Sequence, residues 1–302
     1  MSSWIAIALL SAAVGALVSI FDKTVIYRYA RSPLTLPLLI GFSQTAIGIV
    51  VFAGVRLPDA ATLENTAIAL LSGVIFGLAG QLHMRVLYSQ EVSRTIPVTQ
   101  TAPLFAALIA LTFLDESISL LQWAAIVATV VGAVLLSVRT NAGPGKMILN
   151  RSFYVLMLGA LIQAVANVTG KIAVDELPVL YTHAMRSLGL GAVFLIINAR
   201  PAPLREVRGY FADRSPALLL AGVNELVVAN TGLILLLWAL SLAPVSLVTA
   251  LIGTRALFVV AYSTGLALVW KGALGEQTTP GVLAVKLGAT GLIVAGVAGI
   301  AV

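Results

Sequence analysis

The chain has 302 residues, of which 60% are hydrophobic and only 10% charged, and its mean hydropathy is +1.04. A soluble domain carries about 25% charged residues, so the composition excludes a soluble fold and predicts an all-α integral membrane protein. The formal charge of +6 sits in short loops rather than in a basic run interleaved with aromatics, and there is no cysteine; nucleic-acid binding, disulfides and thiolate metal sites are therefore excluded.

Ten apolar runs can be marked, each near the length of a spanning helix. They are Trp4–Phe21, Leu34–Ala53, Thr66–Tyr88, Thr95–Leu114, Leu120–Val138, Phe153–Val174, Val179–Asn198, Ser215–Leu240, Val245–Trp270 and Gly281–Val302. Met1-Ser-Ser precedes the first without a positive n-region, so that run is expected to be retained. Most connections carry Pro, Gly, Asp or Asn, as interfacial turns do. Between runs seven and eight, Leu204, Val207, Tyr210 and Phe211 recur helically among Arg205, Arg208 and Arg214. That pattern predicts an interfacial helix, with a substrate gate as the alternative.

The runs fall into two similar fives, with residues 1–145 as the first repeat and 146–302 as the second. Lys23 ends run one and Lys171 closes run six, each after a small-residue helix. Leu104-Phe105 in run four answers Leu257-Phe258 in run nine, and Leu114-Asp115-Glu116 answers Leu274-Gly275-Glu276. An odd number of spans per half forces opposite orientations, so the pattern predicts ten transmembrane helices as two inverted five-helix repeats. Such repeats hold a substrate near the bilayer midplane. Connections after odd-numbered runs hold twelve Lys and Arg, while the opposite side has only Arg56 and Lys171. By the positive-inside rule both termini are expected outside the cytoplasm.

Polar groups deep inside spans are the candidate site, because lipid offers them no partners. Arg255 lies eleven residues beyond Pro244, roughly 17 Å down an uninterrupted helix, with Thr254 beside it. Glu225 lies about ten residues into run eight, next to Asn224, and is the expected partner of Arg255. Arg186 stands about eight residues into run seven, with His183 one turn earlier on the same face. Gln163 and Asn167 form a polar stripe in run six; Gln81 and Gln100 come from the first half, with Gln44 and His83 as weaker members. Asp115, Glu116 and Glu276 sit at span ends, where capping or turn roles are expected; Asp22-Lys23, also at a span end, reads as a neighbouring-charge pair at the cytoplasmic rim, with gating as the alternative.

The paired acidic turns, the Thr101-Ala102-Pro103-Leu104-Phe105 step and Gly253-Thr254-Arg255-Ala256-Leu257-Phe258 together resemble the drug/metabolite transporter superfamily, in its EamA-type ten-helix branch. The resemblance implies alternating-access transport of a small organic solute. Two departures stand out: many relatives have cytoplasmic termini, and run nine is about two turns longer than its counterpart in run four.

Two deep arginines against one glutamate favour an anionic or zwitterionic metabolite, such as an amino acid or organic acid, clamped by the guanidinium fork. Export across the plasma (inner) membrane by a multi-pass monomer or homodimer is the expected setting. The partners expected are the solute and the lipid bilayer, with protons as the candidate coupling ion carried by Glu225. Flipping of a lipid-linked intermediate is the alternative. An intramembrane enzyme on lipid phosphates is disfavoured, since no H-E-x-x-H, P-loop, G-x-S-x-G or acidic metal cluster occurs. No catalytic residue, metal or cofactor is expected.

Overall fold

The computed structural model describes residues 3–89, 99, 101–135, 151–269, 288–289, 291–296 and 299, and these are helical with connecting turns. The helices are α1 Ser3–Arg28, α2 Thr35–Gly54, α3 Leu63–Ser89, α4 Ala102–Phe113, α5 Leu120–Leu135, α6 Arg151–Glu176 and α7 Val179–Asn198. They continue with α8 Pro201–Ala212, α9 Pro216–Leu242, α10 Val245–Ile252 and α11 Arg255–Val269. Six of them, α1, α2, α3, α6, α7 and α9, are long and apolar enough to cross a membrane. Runs four, five and nine correspond to shorter apolar helices among the described residues. Most of run ten lies outside those residues, as do Gln100 and Glu276.

Two boundary expectations are corrected. Run one does not end at Lys23: α1 continues through Val25, Ile26 and Tyr27 to Arg28, so Asp22 is an interior residue, only 3% exposed. Run nine is not continuous. Backbone of Gly253 and Thr254 closes α10 with turn bonds to Thr249, Ala250 and Leu251, and Arg255 is the first residue of a new helix. The helix expected between runs seven and eight forms as α8.

Side chains such as Ile49, Val50, Leu71, Leu219 and Val227 remain exposed on the outer faces, the pattern of helices solvated by lipid on one side. Inside, association depends on close van der Waals approach rather than on hydrophobic expulsion. Helix α7 packs between α2 and α3, and α3 also runs along α6. A Cβ on Gly73 would stand 2.0 Å from the Arg186 carbonyl oxygen, and one on Gly189 would stand 2.3 Å from that of Leu70. The α3–α7 crossing therefore requires glycine on both sides.

Two large apolar clusters close the bundle at its ends. One gathers Ile5, Ile126, Leu237, Leu240, Val245 and Leu251; the other gathers Val25, Leu36, Leu87, Phe194 and Val207. The space between them is where the polar residues collect.

Candidate functional site

A cavity of about 250 Å³ lies between the two clusters, lined by residues of α1, α2, α3, α4, α6, α7, α9, α10 and α11. Arg255 enters it from the start of α11. Its Nη2 donates to Ser19 Oγ at 2.6 Å, and its stem lies over Gly15, whose added Cβ would sit 3.5 Å from Arg255 Cδ. Its Nε is buried without a partner. The expected ion pair with Glu225 is not formed; Ser19 is the hydrogen-bond partner of the guanidinium. Thr254 does not reach the cavity, because its hydroxyl donates to Leu251 O at 2.7 Å and closes the helix break.

Asp22 and Glu225 both line the cavity. One amide nitrogen joins them: Asn224 Nδ2 donates to Asp22 Oδ1 at 2.7 Å and to Glu225 Oε1 at 2.8 Å. The backbone explains how adjacent residues 224 and 225 both turn inward. Val223–Val228 is a π-helical segment inside α9, and the Asn230 side-chain amide donates to the Glu225 carbonyl, which the wide turn leaves accessible. Such bulges recur at functional sites because the extra residue per turn redirects side chains.

Arg186 is 2% exposed but does not line this cavity. Its Nη2 donates to Asn167 Oδ1 at 3.3 Å and its guanidinium lies 4.4 Å from the Phe76 ring centroid, a cation–π contact. Asn167 and Phe76 are themselves cavity walls, so Arg186 sits one layer behind them. Its Nη1 rests on the bare backbone of Gly170, where a Cβ would stand 2.4 Å away. The expectation that both arginines share one cavity is corrected accordingly. His183 is 1% exposed, with Nε2 unpartnered, and is also off the cavity wall.

Of the remaining sequence candidates, Gln163 lines the cavity and donates to Asn167 Oδ1 at 3.3 Å. Gln81 does not: its amide and that of Asn198 exchange two hydrogen bonds of 3.0 and 2.9 Å, joining α3 to α7. Three residues given little weight in the sequence gain a place. Asp22 and His83 line the cavity, and Gln44 does so with a buried, unpartnered Oε1. The signal for Asp22 was the apolar sequence that continues past Lys23. Glu116 has the capping role expected of it, though for another helix: its carboxylate accepts from Val245 N, Ser246 N and Ser246 Oγ at the start of α10.

Residues 2–138 match the EamA-like transporter family. No curated protein matches the chain. A solved structure described only as "Crystal structure of protein" aligns with a TM-score of 0.63, covering 98% of this chain and 94% of that one. At 18% identity this likeness concerns the fold alone.

Proposed function

From the match of residues 2–138 to the EamA-like transporter family, we propose that the whole chain is a secondary transporter of the drug/metabolite superfamily. It moves a small polar, anionic or zwitterionic metabolite by alternating access between two inverted five-helix repeats. Two features support the repeat reading. Helix α4 opens at Ala102 with Pro103 in its first turn, and α11 opens at Arg255. The sequence Leu-Phe then follows in both, at Leu104-Phe105 and Leu257-Phe258. In inverted-repeat transporters the substrate site lies near the midplane at the interface between the repeats.

The observation that carries the substrate reading is the charge arrangement around the cavity. Arg255 is held by a neutral hydroxyl while two carboxyls line the same cavity without bonding it. A purely structural buried pair gains most by closing into contact; here neither carboxyl bonds the guanidinium, which leaves its fork for a ligand. The guanidinium fork takes a carboxylate or phosphate, and Asp22 and Glu225 face a substrate ammonium group. Glu225 is the proposed carrier of a coupling proton. Export across the plasma membrane is the proposed direction, and the family supports a transporter rather than an enzyme.

The test is a thermal-shift screen of the purified protein with amino acids, organic acids, sugar phosphates and polyamines, followed by uptake into sealed proteoliposomes. A ligand held in the cavity raises the melting temperature by mass action. Stabilisation by a zwitterion or anion that is then moved chemically unchanged supports the reading. Stabilisation by polyamines alone, undiminished in Arg255→Leu protein, overturns it.

A further inference from the structure

Helix α8 takes no part in the proposed transport site, yet its chemistry is specific. The segment from Arg200 to Arg214 holds four arginines and two acids, Glu206 and Asp213. Glu206 is turned away from them. Its carboxylate accepts from Arg31 N at 2.7 Å, Ser32 N at 3.2 Å, Thr35 Oγ1 at 2.7 Å and Tyr210 Oη at 2.6 Å. Tyr210 Oη also lies 2.8 Å from Tyr29 O, and Pro203 and Val207 are buried on the docked side. Arg200, Arg205, Arg208 and Arg214 are all exposed. On the same helix Leu204 is 40% exposed and Phe211 is 66% exposed.

An inward acid, an outward set of arginines and uncovered apolar side chains describe a helix suited to lie in a headgroup layer. Lipids without net charge would leave the arginines without a counter-charge, whereas an anionic leaflet attracts each of them. The Glu206 clamp also grips the first turn of α2, the helix that carries Ile40 and Gln44 to the cavity wall.

We propose that α8 is a binding surface for anionic phospholipid headgroups, and that its Glu206 clamp passes this attachment to the start of α2. The inference stands independently of which solute the cavity takes.

The full-length protein in detergent is titrated with phosphatidylglycerol or with phosphatidylcholine, and unfolding is followed by thermal shift. Phosphatidylglycerol should raise the melting temperature more than phosphatidylcholine, and the difference should shrink as salt increases. Arg205→Gln/Arg208→Gln protein should melt normally in phosphatidylcholine but need roughly thirtyfold more phosphatidylglycerol for half its effect. Equal responses to the two lipids overturn the site, as does an unchanged response in the double variant or the same rise from soluble inorganic phosphate. Hydrogen exchange tests the link to α2. Phosphatidylglycerol should slow exchange at residues 29–36 in the native protein and not in Glu206→Gln protein. Slowing confined to residues 205–214 overturns transmission to α2.

Discussion

Arg255 stands at the start of a helix, bonded to Ser19 and facing the cavity. Replacing it by lysine keeps the charge but removes the planar fork. Losing a charge-assisted hydrogen bond of about 1.5–3 kcal/mol predicts roughly tenfold to hundredfold weaker substrate binding in folded Arg255→Lys protein. Arg255→Leu should abolish vesicle transport of a charged solute. Native transport by well-folded Arg255→Leu protein would make this residue a packing element only. The sequence made the depth of Arg255 legible, because a cation ten residues from any interface is visible in a hydropathy pattern. It did not make the partners legible. Asn224 and Asp22 are 202 positions apart, and Ser19 and Arg255 are 236 apart.

At the scale of the element, the α3–α7 crossing is the tightest constraint. Gly73→Ala places a methyl against the Arg186 backbone, which no side-chain rotation relieves. Overpacking of this kind costs about 1–3 kcal/mol, so a lowered melting temperature is expected, larger than that of Gly54→Ala, where a Cβ meets nothing within 4 Å. The α8–α2 clamp gives a pH-dependent prediction. Burial pushes the Glu206 carboxyl up, but hydrogen bonds from the Tyr210 hydroxyl, Arg31 N–H, Thr35 hydroxyl and Ser32 N–H outweigh it and hold it below the ordinary value of 4.5. Its folded value is the lower one, so its stabilisation is present above the unfolded value and lost as pH falls through the folded one. Glu206→Gln protein should melt below the native protein at pH 7, with the gap closing in melting curves taken below pH 4.5. A gap that stays constant to pH 3 would remove ionisation from the account.

For the whole molecule, the arrangement of charge predicts orientation. The clamp brings the loop containing Arg31 against the arginine-bearing α8, so cations from distant stretches of sequence share one end of the bundle. That end is expected to face the cytoplasm, which leaves both termini outside. A tag at Val302 should react with an impermeant reagent in intact cells. Protection of that tag, together with labelling at position 56 only from the cytoplasmic face, would reverse the orientation and match the topology described for many relatives.

Hydropathy and spacing alone determined the membrane class, the approximate positions of the long helices, the helix that became α8 and the burial of Glu225 and Arg186. These are averages over one or a few turns, and a local average survives whatever the helices later touch. Tertiary structure decided which deep residues meet. A π-helical segment turned Asn224 and Glu225 toward Asp22, and a contact between α1 and α11 set Arg255 on Ser19. Phe76 and Asn167 placed Arg186 one layer behind the cavity. A one-residue shift in register rotates a side chain by about 100° without changing the apolar content of its segment, so these outcomes rest on helix packing.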